Sequence, residues 1–215
     1  MGGRGSSSSS SGYGGGTGGV SAADIISTKS LISEREREQA LVDETMGVFQ
    51  AVYDEYGAQV EDIQLAKMKA GSNALAYYDA GGNIAVNEKF FNKAKMDAAY
   101  KHCVESGYHP SNGNKTALQA VVAHELGHKL TADVGAKLGQ AGFGSLDSVA
   151  SKIVGEALGK TKHKTAASLA SKISGYAKSN AAETIAEAFA DVFCNGKKAR
   201  SESRAVVSVI DSYLK

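Results

Sequence analysis

Residues 120–128 read Ala-Val-Val-Ala-His-Glu-Leu-Gly-His, and this stretch says more about the fold than any other part of the 215-residue sequence. Apolar residues recur at three- and four-residue steps from Leu118 to Leu130, which predicts a helix over 116–130. On such a helix His124 and His128 lie on one face, one turn apart, so both imidazoles can reach one ion. Imidazole nitrogen suits zinc, and two such ligands leave room for a third ligand and a water.

Glu125 directly follows the first of these histidines, and on a helix it projects beside the metal rather than at it. From there its carboxylate can take a proton from a zinc-bound water and pass it to the leaving amine of a peptide. The motif therefore predicts a Zn²⁺ cofactor and a hydrolase with Glu125 as general base. The competing interpretation, an amphipathic helix with incidental histidines, requires two of only five histidines to fall at this spacing by chance.

A third ligand is expected on a second helix, predicted over 180–194. Its acidic residues Glu183, Glu187 and Asp191 are four apart and share one face, with no Lys or Arg three or four residues away among residues 180–194. Like charges at this spacing repel one another, and a metal cation with its histidine ligands would compensate them. One carboxylate would bind the zinc, and the next could accept the outer N–H of a ligand histidine.

The remaining sequence indicates an α+β fold that is mostly helical. Residues 1–27 are expected to form a Gly/Ser-rich disordered tail, and residues 28–215 the folded domain. Two short runs around Ala80-Gly81-Gly82 predict a β-hairpin, Leu75–Asp79 and Asn83–Asn87. Further strand-like material is expected over 60–67, and further helices over 30–57, 88–105, 146–158, 165–174 and 201–213.

Composition and charge exclude several classes of partner. The formal net charge is +1, which gives no bulk attraction to nucleic acid or to an acidic membrane surface. No apolar run approaches the roughly 18 residues that a membrane-spanning helix needs. The N-terminus also lacks the apolar segment of a secretory signal, so a cytoplasmic protein is expected. His109, in the loop before the His-Glu-x-x-His helix, is interpreted as a surface histidine, and the alternative is a residue that lines the cleft.

Residues 176–189, Tyr-Ala-Lys-Ser-Asn-Ala-Ala-Glu-Thr-Ile-Ala-Glu-Ala-Phe, resemble the tyrosine-to-glutamate segment of the anthrax lethal factor protease domain, which bacterial Pro-Pro endopeptidases share. In that family the segment follows His-Glu-x-x-His on the next major helix, as it does here. The resemblance implies a zincin-like domain of the gluzincin type, with Glu183 as third zinc ligand and Glu187 as the carboxylate behind the ligands. It also implies that Tyr176 stabilises the oxyanion, and it gives Asp191 no role.

The resemblance implies, further, that one hairpin strand edges the active-site cleft and pairs with an extended protein or peptide substrate. The expected function is a zinc-dependent endopeptidase. The opening Met-Gly-Gly-Arg-Gly with its serine run also resembles proteins encoded in phage head-morphogenesis regions, so phage head or virion proteins are expected partners. The alternative is a virion-associated structural or interaction protein whose zinc site stabilises the fold, and a secreted toxin with the same chemistry is a third hypothesis.

Overall fold

The computed structural model describes residues 36–140 and 146–215. The predicted tail over 1–27, and with it the predicted domain boundary, lies outside the described residues. Within these two ranges, no helix has both the length and the apolar character needed to cross a bilayer.

The helices of the described ranges are α1 (Glu36–Tyr56), α2 (Lys93–Glu105), α3 (Ala117–Lys137), α4 (Leu146–Leu158), α5 (Ala166–Ile173), α6 (Ala181–Asn195) and α7 (Ser201–Leu214). The strands are β1 (Asp62–Ala66), β2 (Ala76–Tyr78) and β3 (Asn83–Asn87), and short 3-10 turns occupy Glu88–Phe90, Tyr176–Lys178 and Gly196–Lys198.

The three strands form one sheet in the order β1-β3-β2. The predicted hairpin is confirmed, because β2 pairs antiparallel with β3 and Tyr77 lies opposite Ala85. The strand-like segment after α1 is also confirmed, but β1 pairs parallel with β3, so the sheet is mixed and not purely antiparallel. This order makes β3 the buried central strand and leaves β2 with one edge that pairs with no other strand of the described residues.

The predicted helices are confirmed within the described ranges, with two differences in their bounds, and the start expected at residue 30 lies outside these ranges. The helix expected from residue 88 starts at Lys93 instead, because the side chain of Asn92 accepts a hydrogen bond from Lys95 N and caps it there. The helix expected to end at 130 continues to Lys137. Its start is fixed by a capping box, in which the side chains of Thr116 and Gln119 each bind the other residue's backbone N–H.

The core is organised around α3 and α6, which cross at unusually close range. Gly127 lies at the crossing, and a Cβ added there would stand 2.7 Å from the Cα of Ala186 and 3.2 Å from the Cβ of Phe189. A side chain at Gly127 would therefore push the two helices apart. The close approach brings the His-Glu-x-x-His face of α3 against the acidic face of α6.

Candidate metal centre

His124 and His128 face the same space from successive turns of α3, and their ring centroids are 5.1 Å apart. Candidate ligand atoms of these two residues and of Glu125 all lie within 4.8 Å of one another. The i and i+4 spacing places the imidazoles together, as the sequence predicted.

Glu183 approaches both imidazoles from the first turn of α6. Its Oε2 atom lies 3.1 Å from His124 Nε2 and 3.6 Å from His128 Nε2. Donor atoms around a tetrahedral zinc with bonds of about 2.0–2.1 Å lie roughly 3.3 Å apart, which is the mean of these two distances. Glu183 is therefore a candidate for the third ligand, and Glu125 also borders the site.

The Oε2 atom of Glu183 is buried, yet among the described residues it has no hydrogen-bond partner of good geometry. Buried carboxylate oxygens are ordinarily satisfied, so an orphaned one indicates a missing partner. Two imidazole nitrogens and one carboxylate oxygen are a donor set that suits zinc. The residues present therefore fit the ion that the motif predicts.

Glu187 lies one turn further along α6 and is only 1% exposed. Its Oε1 atom is 2.8 Å from His124 Nδ1, and its Oε2 atom accepts a hydrogen bond of 2.6 Å from the hydroxyl of Ser174. An ionised carboxylate can only accept, so His124 donates its Nδ1–H to Glu187, which leaves Nε2 as the nitrogen that faces the metal position. Glu187 makes the contact with a ligand histidine that its expected role requires, and the role itself stays a prediction.

The carboxylates of Glu183 and Glu187 are ionised despite their burial. Burial raises the pKa of each, but His124 and His128 outweigh it for Glu183, whose pKa falls well below the usual range. Hydrogen bonds from two imidazoles likewise bring the pKa of Glu187 down to about 2. Burial lowers the pKa of His124, yet the two carboxylates reverse this and raise it well above its usual value. Such a site attracts a cation.

Glu125 is 5% exposed and lies beside the imidazoles. Burial raises the pKa of its carboxyl group, and the charges of His124 and His128 oppose this shift. A pKa above the ordinary value brings a carboxylate closer to the range in which it both accepts and returns a proton. The environment of Glu125 therefore suits a general base.

Tyr176 stands in the 3-10 turn before α6, with its ring stacked on that of His124 at 5.8 Å between centroids. Burial, followed by the charge of Glu183, raises its pKa, so the phenol keeps its proton at neutral pH. A neutral phenol beside the metal position is a hydrogen-bond donor for developing negative charge.

The candidate residues open into a cleft of about 420 Å³. Strand β2 forms one side, and the beginning of α4 with the Tyr176 turn forms the others. The cleft is lined by Ala76, Tyr77, Tyr78, His124, Glu125, His128, Leu146, Asp147, Tyr176, Ala182 and Glu183.

His109 was wrongly interpreted as a surface histidine. Its side chain is 14% exposed, and its Nδ1 atom lies 2.9 Å from Oε1 of Glu187, a residue 78 positions further along the chain. No spacing rule links the two residues, because the loop meets α6 only in the folded chain. Ser174 was missed for the same reason.

A mostly helical α+β domain with a His-Glu-His group on one central helix defines the class of zincin-like metallopeptidases. A sequence model described as peptidase family M48 matches residues 38–214, and the chain therefore belongs to this family. Members are zinc-dependent peptidases, so the predicted Zn²⁺ cofactor is confirmed and the substrate is a protein or peptide. No curated protein and no solved structure matches the chain.

Proposed function

We propose that the protein is a zinc endopeptidase of the gluzincin type, in which His124, His128 and Glu183 hold the ion. The observation that carries this proposal is the position of Glu183 Oε2, 3.1 Å and 3.6 Å from the two histidine Nε2 atoms. The likeness of residues 176–189 to the lethal factor segment supports the same ligand set. When bound, zinc polarises the scissile carbonyl and activates water for attack.

Glu125 and Tyr176 divide the remaining chemistry of the cleft. The Glu125 carboxylate accepts a proton from the attacking water and then delivers it to the nitrogen of the leaving amine. Tyr176 donates its hydroxyl proton in a hydrogen bond to the carbonyl oxygen as negative charge develops there. Glu187 accepts the Nδ1–H of His124 throughout and so keeps Nε2 directed at the metal.

Strand β2 offers the substrate a surface for main-chain pairing. Asn87 N donates to Leu75 O, and Asp79 N donates to Asn83 O, so these positions of the β2 segment face β3. In an antiparallel ladder the alternate residues face the other way, which directs the backbone groups of Ala76 and Tyr78 to the other edge of β2, where Tyr78 N–H donates to the Glu125 carboxylate. Both residues line the cleft. An extended peptide added at this edge would pass Glu125 and the metal.

The decisive experiment compares the wild-type protein with Glu125→Gln by zinc quantification and by cleavage of a peptide library. We expect Glu125→Gln to keep its zinc and to lose about 10²–10⁴-fold in kcat, because only the proton-transferring carboxylate has been neutralised. Glu105→Gln, on the exposed end of α2, is the matched control. Full hydrolysis by Glu125→Gln would show this mechanism to be wrong.

The same assay separates the proposal from its alternative, a virion protein with a stabilising zinc site. That alternative predicts bound zinc with no hydrolysis of any library peptide, in the wild-type protein as in the variant. Association with phage head or virion proteins is a further proposal that rests on the opening sequence, and co-purification with assembled particles would test it.

A further inference from the structure

His109 lies on the loop formed by residues 107–113, and its ring is enclosed by the residues around it. The ring stacks on that of Tyr100 at 5.5 Å with an interplanar angle of 3°. It also meets the ring of Tyr176 edge-on at 5.5 Å and that of His124 at 6.1 Å. The exposed ring of Tyr108 meets it edge-on at 5.0 Å. Apart from Tyr108, these neighbours of the imidazole belong to the core or to the candidate metal centre.

The loop that carries His109 is held against the turn that carries Tyr176. Gly175 N donates to Gly107 O over 2.8 Å, and Tyr176 N donates to Tyr108 O over 2.9 Å. A Cβ at Gly175 would come within 3.1 Å of Gly107 O, so the two segments are too close to accept a side chain there without a small shift. The far side of the loop is tied down by two side chains, Tyr100 Oη to Pro110 O and Asn195 Nδ2 to Ser111 O.

Glu187 is the point at which this loop reaches the metal centre. Its Oε1 atom is shared by His109 Nδ1 at 2.9 Å and His124 Nδ1 at 2.8 Å. Its Oε2 atom accepts from the Ser174 hydroxyl, which itself accepts from Ala177 N over 3.0 Å. Because the carboxylate can only accept, His109 must present Nδ1–H to it, as His124 does.

A carboxylate held by three donors has little freedom, and each donor fixes it along a different direction. If the His109 donor is lost, Oε1 keeps a single bond, to the very imidazole that it has to orient. Only the Ser174 bond to Oε2 then holds the carboxylate against the motion of His124. His109, which does not bind the metal, would thus affect the geometry of His124, which does.

We propose that His109 is a positioning residue of the zinc site, which acts through Glu187 to orient His124. The inference rests on the proposed function, since it takes His124 to be a zinc ligand. The positioning role of His109 differs from a packing role in one respect. Packing against Tyr100 needs only a ring, whereas positioning Glu187 needs a donor at the place of Nδ1.

Two substitutions separate the ring from the donor. His109→Phe keeps a ring for Tyr100 and removes the donor. His109→Asn removes the ring and places its amide nitrogen where Nδ1 was. His102→Phe, at an exposed histidine of α2, is the control for a histidine lost from the surface. Zinc affinity is measured by competition with a chromogenic chelator, and ligand geometry by the visible absorption of the Co²⁺-substituted proteins.

We expect His109→Phe to bind zinc about tenfold more weakly, at the lower end of the 10–100-fold that such outer partners contribute, with an altered Co²⁺ spectrum. His109→Asn should stay within about threefold of the wild type and keep its spectrum. Wild-type affinity and spectrum in His109→Phe would overturn the inference. So would a His109→Asn protein as weak as His109→Phe, since the ring alone would then matter.

A third variant keeps the test valid if His109→Phe does not fold. His109→Gln places its amide nitrogen at the position of Nε2, so it should bind zinc more weakly than His109→Asn, and equal affinities would overturn the inference. The titration also separates the two proposals. A wild-type protein that binds no zinc contradicts the proposed function, whereas zinc binding unaffected by His109 variants contradicts only this inference.

Discussion

Two carboxylates one turn apart on α6, Glu187 and Asp191, are equally buried, at 1% exposed each, and serve different ends of the molecule. Glu187 faces α3 and the metal centre. Asp191 faces the beginning of α7, where its Oδ2 atom accepts from Arg200 N at 3.0 Å and from the Ser203 hydroxyl at 2.7 Å. Its Oδ1 atom accepts from Asn195 Nδ2 at 2.9 Å.

The difference between the two lies in their donors. One donor to Glu187 is the imidazole of His124, which has a second nitrogen. A hydrogen bond to Nδ1 therefore orients the whole ring and with it Nε2 on the other side. Asp191 accepts from a backbone N–H, a hydroxyl and an amide, and it pairs with the Arg200 guanidinium at 3.3 Å. None of these partners belongs to the cleft. Burial and acidity alone therefore do not identify a functional carboxylate.

Glu183, one turn before Glu187, should show the largest effect of any acidic residue on α6. In Glu183→Ala we expect zinc affinity to fall by roughly a thousandfold or more, about 4 kcal/mol, because a direct ligand is lost. Chelator competition measures the affinity, and circular dichroism of the metal-free protein verifies the fold. An unchanged affinity would mean that Glu125 or another residue is the third ligand.

Glu187→Gln should rank second, with zinc affinity about 10–100-fold lower and hydrolysis reduced in parallel. The amide has one acceptor oxygen in place of two, so it cannot satisfy both imidazoles and Ser174 together. The same chelator competition applies. If zinc affinity stays within a factor of two of the wild type, Glu187 is a structural residue like Asp191 and the comparison fails.

Asp191→Asn is the matched substitution, an acid-to-amide change of equal burial one turn away. It should lower the free energy of unfolding of the metal-free protein by about 2 kcal/mol, because one amide N–H faces a buried donor. Zinc affinity of the folded protein should not change. Urea unfolding in the presence of a chelator measures the free energy of unfolding. A weaker zinc affinity in this variant would contradict the conclusion that Asp191 does not act on the metal centre.

The smallest effect is expected at a glutamate–histidine pair away from the cleft, Glu202 Oε1 and His163 Nε2 at 2.9 Å. Burial raises the pKa of Glu202, but the hydrogen bond from His163 outweighs it, so the pKa lies below its ordinary 4.5. The stabilisation is therefore present above about pH 4.5 and is lost as pH falls below it. Glu202→Gln should lower unfolding free energy by about 0.5 kcal/mol at neutral pH and leave zinc affinity unchanged. A loss of zinc affinity would show that such pairs act on the site from a distance.

Much of the architecture could be predicted from local sequence. The helices follow from apolar periodicity, and the hairpin follows from two short apolar runs around Gly81-Gly82. The parallel pairing of β1 with β3 could not be predicted, because the two strands are joined through β2 and no local pattern specifies which strand lies in the middle. The start of α2 at Lys93 depended on a cap at Asn92 that the apolar pattern does not reveal.

The sequence by itself determined the group His124, Glu125 and His128, because helical geometry places residues four apart on one face whatever surrounds them. It also limited the third ligand to the acidic face of α6, and the family resemblance favoured Glu183. Only the tertiary structure decided which carboxylate meets which imidazole, since that depends on the close crossing at Gly127. The same holds for His109, whose contact with Glu187 exists only after a loop and a helix 78 residues apart have packed together.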